Sequence, residues 1–253
     1  MSRFFRCHAR LKAGMDGPMV NRSPLHLKQG ELDGACGTHC ALMALMMFGL
    51  VKRDELEEIS KARKKPLSKL WMRTTQFYFS GINPHQLKSV FLPYQDHVKC
   101  KVLQSDLVDQ TIKLLKQDGV CIIAINNEDF RHWVLAVGYG GKNWAKEDAA
   151  EMLLILDPDS PPISMLAWNG TITVRTFKNG QHRYEAADGS VNVSIDAVVA
   201  LKHIGAASKK LSAQVKAEAE VEAQAMLDDD DDMDPESVAA MDREIDYLLS
   251  LDQ

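Results

Sequence analysis

QGELDGACGTHCALMALMMF (residues 29–48) is the stretch that decides the fold predicted for this sequence. A glutamine leads through an Asp-Gly pair to Cys36, and a continuous run of Ala, Leu and Met follows. A helix that is apolar on every side is buried in the protein core, and a glycine commonly ends a helix. We therefore predict a buried helix that begins near Cys36 and ends around Gly49.

Cys36 is the candidate nucleophile because it opens this helix. A helix N-terminus carries roughly half a positive elementary charge, which favours a thiolate over a thiol. Cys40 is a rival nucleophile on the same face, although the spacing places it one turn deeper in the helix. Cys36, His39 and Cys40 are also potential zinc ligands, but no second Cys/His pair follows at finger-like spacing. We therefore predict a thiol nucleophile and no cofactor or metal.

Cysteine catalysis also needs an imidazole base, a group that orients the imidazole and donors for the oxyanion. His132 opens the strand-like run HWVLAVGY, and Asp157 ends the run MLLIL. We predict that His132 is the base and that Asp157 orients it, with Gln29 and the Cys36 backbone N–H as oxyanion donors. The alternative for His132 is a core histidine in an apolar strand, and the alternative for Asp157 is an aspartate that caps a turn before proline.

The order of these residues resembles the papain-like cysteine peptidases. CG opens an apolar helix, HW leads a strand and LDP ends the next strand. Within that clan, the sequence looks most like the bacterial leader peptidases that cut after Gly-Gly in bacteriocin precursors, and their stand-alone relatives. The resemblance covers roughly residues 25–205 and implies a cleft with Cys36 on a helical half and with His132 and Asp157 on a sheet half. Gln29 lies seven residues before Cys36, one more than is usual there, and residues 168–203 have no counterpart.

The pattern of hydrophobic residues predicts an α+β domain in which helices come first and strands follow. Helices are predicted from Asp54, over residues 68–79, over 85–91 after an Asn83-Pro84 cap, and from a Ser105 cap to Gly119. Strands are predicted at residues 98–103, 120–126, 132–139, 152–156, 171–177, 183–186, 191–195 and 198–204. We expect an antiparallel sheet half, packed against the helical half, with the site in the cleft between them.

Charge separates the chain into a mildly basic body and an acidic tail. Residues 1–205 carry 26 Lys and Arg against 21 Asp and Glu, whereas residues 206–253 carry 4 against 14. We predict a loosely packed arm at residues 1–24, the peptidase-like domain at 25–205, an acidic low-complexity linker at 206–234 and an amphipathic helix at 235–253. That last helix could hold a protein partner or a substrate, or lie across the cleft.

Composition argues against several other classes of protein. Five cysteines without regular spacing do not suggest a disulfide framework, and they favour a reducing compartment. The apolar run at 41–51 is too short to span a bilayer, and the N-terminal segment lacks the apolar core of a secretory signal. We therefore expect a cytoplasmic protein, or one exported without a cleavable signal, that has no membrane partner.

Partners and activity follow from the same observations. Basic and aromatic residues between 61 and 78 favour a solvated helix face over a nucleic-acid site, because the acidic tail would compete with phosphate. The expected activity is thiol hydrolysis of a peptide or isopeptide amide bond in a protein or peptide substrate, through a thioester. Two alternatives stay open: an acyl- or amide-transferring toxin or effector on the same fold, and a non-catalytic binding module that acts through the cleft and the tail.

Overall fold

Five α-helices lie within the described residues of this computed structural model, which are 3–30, 33–59, 65–142, 150–187 and 189–204. The first, α1, opens at Cys36 and ends before Gly49, whose positive φ of 73° makes it a left-handed cap as predicted. The helices are α1 (Cys36–Phe48), α2 (Arg53–Glu57), α3 (Pro66–Thr75), α4 (Pro84–Val90) and α5 (Leu107–Leu115), with a 3-10 turn at Leu92–Tyr94.

Helix boundaries follow the predictions most closely where a cap is clear. Asn83 caps α4, and its side chain accepts a hydrogen bond from the Gln86 backbone N–H. Lys52, rather than Asp54, precedes α2, and α3 begins at a proline and ends at Thr75 instead of extending over 68–79. The fixed φ of a proline at the first helical position explains the earlier start of α3.

Every strand pair within the described residues is antiparallel. The strands are β1 (Phe4–Cys7), β2 (Leu11–Gly14), β3 (Gly17–Val20), β4 (Ser23–Pro24), β5 (Val98–Val102), β6 (Val120–Asn126), β7 (Arg131–Gly141), β8 (Met152–Leu156), β9 (Gly170–Thr173), β10 (His182–Ala186) and β11 (Gly189–His203). The main sheet runs β1-β7-β6-β11-β10-β9-β8, with β5 beside β11. Because β8 also pairs with β7, six strands close into a ring.

The predicted arm at residues 1–24 is not loosely packed in its described part, residues 3–24. Its β1 is hydrogen-bonded to β7, and β2, β3 and β4 form a separate small sheet. Phe4, Leu11 and Val20 are buried. Each strand here has at most four residues, so the chain turns before a hydrophobic period can repeat, and the sequence shows no clear pattern.

Residues 189–203 form one strand, β11, where the sequence predicted two. The pairing with β6 shifts between Ile195 and Ala197, so a β-bulge accommodates the polar Asp196 without ending the strand. The strand predicted at 171–177 is shorter and spans Gly170–Thr173. The predicted linker at 206–234 and helix at 235–253 lie outside the described residues.

Two hydrophobic clusters lie on the two faces of β6 and β7. Val120 and Ile122 of β6 pack with the buried residues of α1, α3 and α4, whereas Cys121 and Ile123 belong to a second cluster. That second cluster draws on all six strands of the ring and on α5. The first cluster therefore seats α1 against β7, which brings the N-terminal end of α1 close to the first residues of β7.

Candidate active site

Cys36 lies at the N-terminal end of α1, where it is 7% exposed. Its Sγ is 3.9 Å from the Gly34 carbonyl oxygen. The next residue, Gly37, is tightly enclosed: a Cβ there would lie 2.6 Å from Cγ2 of Ile82 and 3.2 Å from Cδ1 of Trp133. The glycine after the cysteine therefore lets this end of the helix approach β7 and the loop before α4.

His132 and Trp133, the adjacent residues at the start of β7, both lie beside this helix end. The Nε1 of Trp133 donates to the Ile82 carbonyl oxygen at 2.9 Å, and the Nε2 of His132 is 2.6 Å from Oδ1 of Asp157. Burial lowers the pKa of His132, but hydrogen bonds to Asp157 and Cys36, and the negative charges of both groups, raise it more, to about 10. The imidazole is therefore linked on one side to the thiol and on the other to the carboxylate.

Asp157 directly follows β8 and is only 3% exposed. Its Oδ1 accepts from His132 and from the Asp159 backbone N–H at 2.8 Å. Its Oδ2 accepts from the Ser160 hydroxyl at 3.3 Å and from the phenol of Tyr184. Burial raises the pKa of Asp157, but the hydrogen bonds from His132 and the other donors lower it by more. The net pKa lies below its ordinary value, so the carboxyl stays ionised.

A buried amide and a second histidine hold the backbone of Asp157. Asn169 Oδ1 accepts from the Asp157 N–H at 2.7 Å, and its Nδ2 donates to the carbonyls of Asp157, Ser160 and Pro161 at 2.8, 2.9 and 3.3 Å. His26 Nε2 lies 2.8 Å from the Asp157 carbonyl, and burial is the main cause of its lowered pKa. Since a carbonyl only accepts, neutral His26 carries its proton on Nε2.

Cys36 and His132 open into the same cleft, which has a volume of about 680 Å³. Residues 79–84 and 86 line it from the side of the helices, and the ends of β6, β7 and the bulged part of β11 line it from the sheet. The first N–H groups of α1 have no acceptor within the helix, so they are available as donors at this cleft. The cleft thus combines a thiol, an imidazole bound to a carboxylate, and backbone donors.

Gln29 also lines the cleft, but its side-chain donor is engaged within the loop. Nε2 donates to the Asp33 carbonyl, and the backbone N–H donates to the Pro158 carbonyl at 2.7 Å. Its Oε1 is buried without a hydrogen-bond partner among the described residues. The structure therefore brings Gln29 next to the segment that carries Asp157, and its role as an oxyanion donor stays a prediction.

Cys40, the rival nucleophile, has a different environment. It is fully buried, its Sγ lies 3.4 Å from the Trp133 carbonyl oxygen, and burial raises its pKa well above the ordinary value. His39 Nδ1 is 2.9 Å from the Ala35 carbonyl of its own helix turn. Across the described ranges, no group of three or more His, Cys, Asp or Glu residues is arranged to hold a metal, including the set around Cys36.

Sequence reasoning placed Cys36, His132 and Asp157 in one site, and the structure brings these three together. It missed the second layer around Asp157, which consists of His26, Ser160, Asn169 and Tyr184. The Trp-Asn-Gly turn at 168–170 shows where the chain bends, but nothing in it indicates which backbone groups the Asn169 amide binds. In the sequence, Tyr184 has the pattern of an ordinary apolar residue in a strand.

No protein-family model matches this sequence, and no curated protein matches it either. In the parts of the chain that the structure describes, none of the helices has the length and apolar character needed to cross a membrane. A functional assignment therefore depends on the chemistry of the site itself.

Proposed function

We propose that this protein is a papain-like thiol hydrolase that cleaves a peptide or isopeptide amide bond. The observation that carries the proposal is the series Cys36–His132–Asp157: Cys36 and His132 line one cleft, and Asp157 binds the imidazole at 2.6 Å, although the three residues come from separate elements. A buried helix that begins at the cysteine and a sheet that supplies the histidine and aspartate also agree with the resemblance to papain-like peptidases.

In the first step, the Cys36 thiolate attacks the carbonyl carbon of the substrate. A sulfur–carbon bond forms, and the electron pair of the C=O bond moves to the oxygen, where the N–H groups at the start of α1 stabilise the oxyanion. His132, which is protonated because its pKa is raised, then gives a proton to the leaving amine as the carbon–nitrogen bond breaks. A thioester of Cys36 and a neutral His132 remain.

In the second step, water hydrolyses the thioester. Neutral His132 takes a proton from the attacking water, the new carbon–oxygen bond forms, and Cys36 departs as a thiolate with His132 protonated again. Asp157 remains ionised throughout, fixes the orientation of the ring through Nε2 and stabilises the imidazolium. Transfer of the acyl group to another nucleophile would use the same residues and differ only in the acceptor.

The first test is the reactivity of Cys36 in the full chain. At neutral pH, iodoacetamide should alkylate Cys36 faster than the other cysteines, because burial raises the pKa of their thiols: Cys7, Cys40, Cys100 and Cys121. His132→Ala should remove this preference, whereas the matched control Cys40→Ala should leave it intact. Equal alkylation of all five cysteines would contradict the proposal.

Turnover needs a separate measurement, because a binding module could retain a reactive thiol. Cells that express the protein should be compared with cells that express Cys36→Ala by proteome-wide identification of protein N-termini. New N-termini that require Cys36 would support hydrolysis and would reveal the scissile bond. Identical sets of N-termini, together with normal Cys36 alkylation, would favour a non-hydrolytic role for the site.

A further inference from the structure

We propose that Tyr184 is a positioning residue of this site: its phenol holds the carboxylate of Asp157 in the orientation that His132 requires, and Gly170 leaves the space for it to do so. This inference rests on the proposed function and concerns the same site. Tyr184 is 6% exposed and donates to Oδ2 of Asp157.

The position of Tyr184 is unusual because a whole strand separates it from its partner. Asp157 follows β8, Tyr184 lies in β10, and β9 runs between them. A Cβ on Gly170, the first residue of β9, would lie 3.1 Å from the Glu185 carbonyl oxygen of β10, 3.3 Å from Cε2 of Tyr184 and 3.5 Å from its hydroxyl oxygen. The tyrosine ring therefore passes directly over Gly170 to reach the carboxylate.

The two oxygens of Asp157 have different partners. Oδ1 binds His132 and the Asp159 N–H, whereas Oδ2 depends on Tyr184 and on a longer contact of 3.3 Å to Ser160. Without the phenol, Oδ2 would keep the longer Ser160 contact alone among the described residues, so the carboxylate would be held less firmly and Oδ1 would be directed less accurately at the imidazole. Hydrogen bonds from a neutral donor to an ionised acceptor are among the stronger ones in proteins.

The phenol of Tyr184 remains a hydrogen-bond donor over the whole pH range in which the site would work. Burial, and next the negative charge of Asp157, raise the pKa of Tyr184 above its ordinary value, so the hydroxyl keeps its proton. Tyr184 therefore stabilises the ionised carboxylate without exchanging a proton with it. This role fits a positioning residue, since the phenol touches Asp157 and contacts Cys36 and the substrate only through the triad.

The test compares Tyr184→Phe with Tyr139→Phe in the full-length protein. Tyr139 is 5% exposed in the same hydrophobic cluster but lies seven residues further along β7 than His132. The measurement is the rate of Cys36 alkylation by iodoacetamide as a function of pH. For Tyr184→Phe we expect a fall of about tenfold to a hundredfold at pH 7, the range for losing a hydrogen bond to a charged group.

The pH profile separates positioning from simple loss of packing. Without its phenol donor, Asp157 should bind a proton more tightly, so the acid limb of the Tyr184→Phe profile should move to higher pH. Gly170→Ala should move the acid limb in the same direction, since its Cβ would lie 3.1 Å from the Glu185 carbonyl oxygen and 3.3 Å from Cε2 of Tyr184 and so would shift the part of β10 that carries the phenol. The Tyr139→Phe profile should match that of the wild type. A wild-type rate and acid limb in folded Tyr184→Phe would overturn the proposal.

Failure of the proposed function would be visible separately. If wild-type Cys36 is not alkylated preferentially, the hydrolase proposal fails, and the test of Tyr184 moves to ¹⁵N NMR of the His132 ring. The Nε2 resonance should then shift in Tyr184→Phe and remain unchanged in Tyr139→Phe. An unchanged Nε2 resonance in both variants would overturn the positioning role whatever the outcome for Cys36.

Discussion

Replacement of Asn169 by alanine should destabilise the protein and weaken the candidate site together. Asn169 is 1% exposed, and its amide binds the backbone on both sides of the turn that carries Asp157. The alanine variant would leave the Asp157 N–H and the Ser160 carbonyl buried without this partner. The Asp157 carbonyl would retain its bond from His26.

The expected magnitude follows from these groups. A buried donor or acceptor that loses its partner costs about 1–3 kcal/mol, so two such groups should lower the free energy of unfolding by about 4 kcal/mol. At about 2–4 °C per kcal/mol for a domain of this size, Tm should fall by about 8–16 °C. Asn192→Ala is the matched control, because Asn192 is exposed on β11, and it should change stability by less than about 0.5 kcal/mol.

Asn169→Asp provides a sharper comparison, because it keeps the size of the side chain. Aspartate preserves an acceptor for the Asp157 N–H but places a carboxylate oxygen against carbonyls that now receive the Nδ2 donor. Although His26 Nε2 lies 3.2 Å from the Nδ2 position, the new carboxylate oxygen would face three carbonyl oxygens there, and this repulsion should make Asn169→Asp less stable than Asn169→Ala at pH 7. Burial would raise the pKa of the new acid, so this difference should shrink as the pH falls and the group is protonated.

Thermal and urea unfolding of the wild type, both Asn169 variants and Asn192→Ala would measure these effects. Alkylation of Cys36 at pH 7 would report in parallel on the site, and both Asn169 variants should react more slowly than the control. The reasoning would be refuted if Asn169→Asp were as stable as Asn169→Ala at pH 7, because the amide would then not be donating to the carbonyls.

Two further predictions concern the triad and the helix end beside it. The pKa of His132 is raised from about 6.5 in the unfolded chain to about 10 in the folded protein. The ion pair with Asp157 therefore stabilises the fold fully below about pH 6.5, and this stabilisation is lost as the pH rises to about 10. The difference in unfolding free energy between the wild type and His132→Gln should therefore shrink from pH 6.5 to 10, and a constant difference would contradict the pairing. Gly37→Ala should lower stability by about 1–3 kcal/mol and slow Cys36 alkylation, because the new Cβ would lie 2.6 Å from Cγ2 of Ile82. In a double-mutant cycle with Ile82→Ala the penalty should become smaller, whereas strict additivity would exclude this contact as the cause.

The elements that could be predicted from the sequence are those specified by local residues. The continuous apolar run and Gly49 give the extent of α1, and Asn83 with the following proline gives the start of α4. The β-branched runs of β6 and β8 likewise stand out against their polar flanks. In each case the signal and the element occupy the same residues, so no knowledge of the tertiary structure is needed.

The elements that could not be predicted depend on pairing between distant segments. β1 is too short to show a period, and it is a strand only because it pairs with β7 more than a hundred residues later. The closure of the ring through β7 and β8, and the bulge at Asp196 that keeps β11 continuous, also depend on partners. Tyr184 illustrates the same limit at the site, since its role requires the register that places β10 beside β9.

Under the proposed function, the contrast between Cys36 and Cys40 indicates that β7 selects which thiol of the helix is the nucleophile. Both cysteines lie on α1, one turn apart, and two consecutive residues of β7 interact with them. His132 interacts with Cys36, whereas the Trp133 carbonyl lies 3.4 Å from Cys40, whose burial raises the pKa of its thiol. A slip of one residue in the register of β7 would exchange the faces on which His132 and Trp133 lie, and it would break the geometry that links the imidazole to Cys36 and Asp157. The antiparallel pairs of β7 with β6 and β8 are therefore as necessary to the proposed reactivity of Cys36 as the helix N-terminus on which it lies.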